Sequence, residues 1–387
     1  MDRADILIIG GGPAGSTAAW KLSRGGLDVI ILEKEKFPRE KLCAGWITPA
    51  AVAGLELDLE DYAAGRTLQP LTGFLTGRIG CGMLDIPYGS TVGYGVRRCE
   101  FDSYLARRSA ARFLDGVPVT KLRRDGGGWV VNDRFRAPLL LGAGGHHCPL
   151  ARYLGADPGK ESAIVAQEVE LRLDDRLRTR CRVRGGVPEL YFCRDLKGYG
   201  WCFLKGQYLN VGLGRMDARG LRGHVMDFVR FLESAGRVPP GLPDRWPGHA
   251  YLSRGASRRV RVADGALLIG DAAGLARERS GEGIGPAVVS GLLAAQVILQ
   301  AHGDYNRDRL SRYCDLLDER FGGSERGWLA CLARCVPGPL IAAAGSALFA
   351  NRRLARRVVL DGWFLGRAEH TQADVLQASG APSSRPP

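Results

Sequence analysis

The sequence predicts an α/β fold in three parts: a parallel-sheet unit of the Rossmann type, a region of antiparallel strands, and a helical C-terminal region. Three observations predict it. The chain opens with a buried-type apolar run, a glycine-rich turn and a helix, in β-α-β order. From about Lys160 to Gly214 the pattern changes to alternating strands with aromatic residues. Beyond Tyr305 it becomes helical and Arg-rich.

Asp5 to Ile9 reads as a buried parallel strand, followed by the turn Gly10 to Gly15. A helix from about Ser16 to Arg24 ends at Gly25-Gly26, a C-cap pair, and Asp28 to Glu33 forms the second strand. Ala50 to Thr67 and Phe101 to Leu114 have helical spacing. Short strands are expected within Leu71 to Val96, at Pro118 to Leu122 and at Gly128 to Asn132, and a buried one at Leu139 to Leu141. Val165 to Leu173 and Glu189 to Gly214 read as antiparallel strands, Leu221 to Ser234 as a helix and the Pro-rich Gly236 to Gly248 as a loop. Ala266 to Ile269 is a further buried strand, with a long apolar helix from Gly283 to about Ala301. The domain expectation is discontinuous: 1–70, 97–158 and 255–305 form one unit, 71–96 and 159–254 a β-sheet unit, 306–370 the helical region and 371–387 a flexible tail.

With 45% apolar and 25% charged residues over 387, disorder as the main state is excluded. The apolar stretch Gly338 to Ala350 is too short to span a bilayer. No basic n-region with a cleavage site precedes the first apolar run, so the expected location is cytoplasmic, with peripheral contact at a membrane. The ten cysteines then read as reduced thiols. Cys331 and Cys335 share a helix face but lack histidines at ligand spacing, so no metal is expected. The net charge of +13 suits either a solvated basic surface or an anionic partner such as a phosphorylated lipid. The basic residues are spread along the chain, and no nucleic-acid partner is expected.

Chemistry concentrates in two places. Gly10, Gly12 and Gly15 form G-x-G-x-x-G between a strand and a helix, eighteen residues before Glu33 at the end of the next strand. Backbone N–H groups there can approach a pyrophosphate, and Glu33 can take ribose hydroxyls. About 260 residues on, ALLIGDAAG and GEGIG let Asp271 reach a polyol hydroxyl, while Gly283 opens a helix whose N–H groups face a ring that gains negative charge. Together they point to FAD. Only one full G-x-G-x-x-G occurs, so a second stable nucleotide domain is not expected; electrons come from transient NAD(P)H, a separate reductase or ferredoxin-like donor, or the substrate.

GGGPAG with Glu33, then Arg98-Cys-Glu-Phe101-Asp102, LLLGAGG, and IGDAAG with GEGI resemble the FAD-dependent oxidoreductases of the aromatic-hydroxylase (p-hydroxybenzoate hydroxylase-like) superfamily, over roughly residues 4–300. KLCAGWITP (41–49) and YGWCFLKGQYLNVGLG (199–214) are most similar to the geranylgeranyl reductase family. The resemblance implies a Rossmann-like FAD-binding domain of the GR2 type. It implies FAD contacts at Gly10, Gly12, Ala14, Gly15, Glu33, Lys34, Ala44, Arg98, Val119, Asp271, Gly283 and Ile284. The pattern departs in three places: Cys43-Ala44-Gly45-Trp46 lacks the fuller glycine loop, Leu204 replaces a proline, and Gly142-Ala143-Gly144-Gly145 lacks an acidic FAD contact.

Cys43, Tyr199 and Trp201 are the candidate catalytic residues. The resemblance puts Cys43 beside the flavin, where a thiol can protonate a carbon, gate the pocket or simply pack. Tyr199, Trp201 and Phe203 share a strand face, which suits a hydrophobic or aromatic ligand as well as ordinary packing. Lys205, and Arg277 with Arg279, can hold an anionic group or be solvated; His146 and His147 read as loop residues. The leading expectation is reduction of carbon–carbon double bonds in an isoprenoid or lipid-like substrate, phosphorylated or membrane-resident. The alternatives are a flavin monooxygenase, less readily a halogenase, acting on an aromatic, carrier-bound or protein-bound substrate, and a flavin-binding partner that docks on another protein.

Overall fold

The computed structural model describes residues 1–322 and 345–366. The Cys331/Cys335 pair, part of the 338–350 stretch and the expected tail lie outside them. A six-stranded sheet forms the first layer, in the order Val262–Ala263, Ala266–Leu268, Leu139–Gly142, Ile6–Ile9, Val29–Leu32, Arg112–Leu114. All pairs but the first are parallel, and the central strands are buried on both faces, which is why they read as unbroken apolar runs. The helices Pro13–Arg24 and Ile284–Gln300 cross closely because Gly291 has no side chain: a Cβ there would stand 2.6 Å from the Ala14 carbonyl oxygen.

The second large layer is a seven-stranded sheet, in the order Gly248–Tyr251, Ile164–Arg172, Tyr208–Arg215, Gly198–Lys205, Glu189–Phe192, Gly73–Arg78, Met83–Pro87. It is antiparallel except where Glu189–Phe192 runs parallel to Gly73–Arg78. Helix Leu221–Ser234 covers one face through Val225, Phe228 and Leu232. The wide π-type helix Ala355–Phe364 lays Val359, Leu360 and Phe364 on aromatic residues of the other. No helix among the described residues is long and apolar enough to cross a membrane.

Three local expectations change. The helix expected over Ala50 to Thr67 is two, Pro49–Gly54 and Leu59–Ala63, because the Asp58 carboxylate accepts from the Glu60 and Asp61 N–H groups and starts a new helix. The helix expected over Phe101 to Leu114 is Arg98–Arg108; Ala110 turns the chain at φ 58°, and Arg112–Leu114 becomes an edge strand. The strand expected at Pro118 to Leu122 begins at Leu122, since the Asn132 side chain takes the backbone groups of Pro118, Thr120 and Lys121.

Candidate active site

A cavity of about 800 Å3 runs from the carboxyl ends of the parallel strands to the inner face of the seven-stranded sheet. Gly10, Gly12 and Ala14 line its first end, with Glu33, Lys34 and Val119. Asp271, Gly283 and Ile284 line it from the opposite side, although some 260 residues separate them from the glycine turn. Arg98, Ala44, Cys43, Tyr199 and Trp201 line it as well. Of the predicted site residues only Gly15 is set back from the cavity wall. A Cβ there would stand 2.0 Å from the Gly10 carbonyl oxygen, so its glycine lets the helix close on the strand.

Sequence reasoning missed several groups here. Arg39, Lys41, Glu168, His249, Tyr251 and Phe364 also line the cavity. The Arg39 and Lys41 signal was present, as a basic run after the second strand. His249 and Phe364 gave none.

The first end is strongly basic. Arg98 binds Asp102 through two 2.7 Å bonds, and Arg39 meets the same carboxylate at 3.1 Å and Glu33 at 3.9 Å. Glu33 is buried and oriented, accepting from the Gly11 N–H at 2.9 Å and the Glu35 N–H at 3.1 Å. The Lys41 ammonium lies 3.2 Å from His249 Nδ1. Burial, then Arg98, hold the Lys41 amine below its usual range; burial, then Lys41 and Arg98, hold His249 near 3, so the imidazole is neutral. Asp271 is pushed up by burial, against the pull of Lys41, Arg98 and Arg259.

The other end is apolar and aromatic. Trp46 stacks on Phe364 (5.7 Å between centroids, 15° between planes), and Phe364 meets Tyr199 edge-on at 5.2 Å. The Tyr199 hydroxyl donates to the Ser280 carbonyl, and Trp201 Nε1 donates to Asn210 Oδ1 at 2.7 Å. Cys43 is half-buried; its sulfur accepts from the Gly45 N–H at 3.4 Å and faces the Arg98 guanidinium.

The indole of Trp201 can lie flat on the sheet because its strand neighbour is Gly212. A Cβ there would fall 2.1 Å from Trp201 Cζ2. Gly212→Ala is expected to cost about 1–3 kcal/mol through overpacking, read as a lower urea midpoint and a shifted tryptophan emission. An unchanged midpoint and emission would show that the indole has another seat.

Lys205 is neither solvated nor turned to the cavity: fully buried, it pairs with Glu170 and donates to the Ala44 carbonyl at 3.0 Å. His146 is buried in loop 143–148 against Arg259, which also binds Glu161; burial, then Arg259, lower it to about 4. Arg277 pairs with Glu282 at 2.8 Å, and Arg279 lies over Trp363.

These residues fit an extended dinucleotide with an anionic centre. At Gly12 a Cβ would meet nothing closer than Arg39 at 3.7 Å, so the backbone is bare toward the cavity, and Arg39 Nη1 is buried without a partner. Residues 5–90 match the family model for an FAD dependent oxidoreductase. The chain is 30% identical over 347 residues to a menaquinone reductase of Mycobacterium tuberculosis H37Rv, covering 83% of this chain and 81% of the relative. It is 28% identical over 340 residues to the digeranylgeranylglycerophospholipid reductase of Methanocaldococcus jannaschii, covering 81% of each. The chain belongs to the geranylgeranyl reductase family of FAD-dependent oxidoreductases. In fold it is similar to a geranylgeranyl bacteriochlorophyll reductase-like protein of Thermoplasma acidophilum, with a TM-score of 0.76 at 22% identity over 96% of this chain and all of that one. As a member of the geranylgeranyl reductase family the protein is an FAD-dependent enzyme.

Proposed function

We propose that the protein saturates carbon–carbon double bonds in the isoprenoid chains of a lipid. One observation carries the reading: a single cavity joins a basic, glycine-lined end to a wall of Trp46, Tyr199, Trp201, Phe203 and Phe364. The name of the archaeal relative, a digeranylgeranylglycerophospholipid reductase, supports the isoprenoid class.

In this reading residues 1–70, 97–158 and 255–305 hold FAD, and 71–96 with 159–254 hold the substrate. Gly12 would bring bare backbone to the pyrophosphate, with Gly10 and Ala14 lining the same turn and Arg39 and Arg98 as counter-charges. Glu33, fixed by the Gly11 N–H, would take the adenosine ribose, and Lys34 and Val119 would flank the adenine end. Asp271 would meet the ribityl chain, and Gly283 and Ile284 would present the N-terminus of their helix to the flavin ring. FAD held there, once reduced by NAD(P)H or a separate reductase, would supply the hydride.

The aromatic wall orients the chain and excludes water. Cys43 and Ala44 close the cavity beside the reacting carbons. The Cys43 sulfur accepts from the Gly45 N–H and faces the Arg98 guanidinium, which fixes its place in the wall. Exposed Arg352, Arg353 and Leu354 support peripheral contact with an anionic lipid surface.

The test is anaerobic. Enzyme reduced by dithionite or NAD(P)H is mixed with a geranylgeranyl-chain phospholipid, and flavin absorbance is followed with mass spectrometry of the lipid. Flavin re-oxidation with gain of two hydrogens per double bond is expected. Re-oxidation by oxygen alone, with an oxygenated product, would replace this reading with a monooxygenase.

A further inference from the structure

Adding a hydride to a carbon–carbon double bond leaves the neighbouring carbon in need of a proton. We propose that Glu168 is the acid that supplies this proton. The inference rests on the function proposed above and adds a catalytic residue to it.

The geometry singles Glu168 out. It sits mid-strand in Ile164–Arg172, paired with Gly212, which pairs in turn with Trp201, so the three form one row across the sheet. Glu168 and Trp201 both line the cavity, and the missing side chain at Gly212 lets the indole extend between them. The Glu168 carboxyl is buried and makes no ion pair among the described residues; the Cys43 backbone N–H faces it. The acid therefore stands between the wall loop and the aromatic floor, where the reacting carbons of a bound chain would lie.

Its neighbour two residues on provides the contrast. Glu170 shares the strand face but pairs with Lys205 and with Arg97 at 2.9 Å. Burial opposes its ionisation, yet those cations outweigh it and hold the carboxyl below the usual glutamate range. For Glu168 burial dominates and pushes the carboxyl up to about 7; Lys205, the Cys43 amide and Arg98 oppose, while the Glu170 carboxylate adds to the rise. Lys41 and His249 on the cavity wall face each other, and Cys43, Arg98, Tyr199 and Tyr251 line it beside them. Glu170, paired with its two cations, is kept charged, while Glu168 on the cavity wall retains its proton up to near-neutral pH.

The balance is complete. One π bond breaks and two C–H bonds form. The hydride and its electron pair come from reduced FAD, the proton from the Glu168 carboxyl, and the carboxylate left behind recovers its proton from water after product leaves.

The experiment compares wild type, Glu168→Gln and Cys43→Ala, all loaded with FAD. In the infrared spectrum, the wild-type-minus-Glu168→Gln difference should contain a protonated carboxyl band at pH 6 that disappears as pH rises through about 7. A carboxyl already ionised at pH 6 would overturn the proposal. In anaerobic single turnover with a geranylgeranyl-chain phospholipid, Glu168→Gln should saturate the lipid about 100-fold or more slowly, the usual loss for a general acid, with normal flavin content. An acid must be protonated to act, so the wild-type rate should fall above pH 7. That limb should survive in Cys43→Ala and vanish in Glu168→Gln. The reverse assignment, or a Glu168→Gln rate equal to wild type, would overturn it. A wild-type enzyme that saturates no isoprenoid lipid overturns the proposed function and this inference together; one that does, beside an unimpaired Glu168→Gln, overturns this inference alone.

Discussion

Gly12→Ala yields a folded, colourless protein, whereas Gly15→Ala yields one that folds poorly before flavin is considered. The two glycines stand three residues apart in one motif, and local geometry separates their roles. At Gly12 the added methyl has room in the protein itself, its nearest neighbour being Arg39 at 3.7 Å. It projects into the space where backbone N–H groups would meet the pyrophosphate. Losing one hydrogen bond to a charged group costs about 1.5–3 kcal/mol, so FAD binding should weaken roughly 10- to 150-fold. At Gly15 the methyl would fall 2.0 Å from the Gly10 carbonyl oxygen and 3.2 Å from Ala143 Cβ, and the helix must lift off the strand. Overpacking against backbone costs about 1–3 kcal/mol or more. Flavin absorbance after purification and urea unfolding of flavin-stripped proteins check the pair. Stripping matters, because bound FAD stabilises wild type by mass action and would make Gly12→Ala look unstable when it is merely empty. Gly12→Ala with full flavin content would remove the pyrophosphate from this turn.

The difference between those glycines was not legible in the sequence, although the motif was. G-x-G-x-x-G and Glu33 span 24 residues, and short-range geometry suffices to predict one βαβ unit. Asp271 was readable at long range for a related reason: a buried strand ending in Gly-Asp, followed by a glycine that opens a helix, is itself a local pattern. Whether Gly15 meets a ligand or the Gly10 carbonyl depends on the helix–strand approach, which no residue type encodes. The same limit hid Glu168, and it left Lys205 without its partner. Glu168 and Glu170 share one strand face, but which of them gains a cation depends on Lys205, 35 residues beyond Glu170, and on the register that seats it. The split helix at residues 49–63 was hidden for the opposite reason: apolar spacing continues through Leu55 and Leu57, and the Asp58 cap outweighs it.

Lys205→Met is expected to lose about 3 kcal/mol of stability, the cost of breaking a buried ion pair by removing one partner. The Lys205 side chain is fully buried, Glu170 is 18% exposed, and the same ammonium donates to the Ala44 carbonyl in the wall loop. Methionine keeps the volume and removes the charge. It leaves Glu170 with Arg97 and Asn210, so the loss falls at the lower end of the range for such pairs. The pH dependence follows from Glu170, whose carboxyl is lowered in the fold. A lowered acid contributes stability above its unfolded value, near 4.5, and that contribution disappears as pH falls through the lower native value. The gap between wild type and Lys205→Met should therefore be full at pH 7 and shrink below pH 4.5, measured by urea unfolding of flavin-stripped proteins. Adding Glu170→Gln should recover part of the loss, because no uncompensated carboxylate then remains, and Arg97 still has Glu100 at 3.0 Å. A gap that does not change with pH would mean that the loss came from the Ala44 carbonyl and packing. Lys205 would then serve to hold the Cys43–Ala44 loop against the sheet, and the charge of Glu170 would be maintained by Arg97.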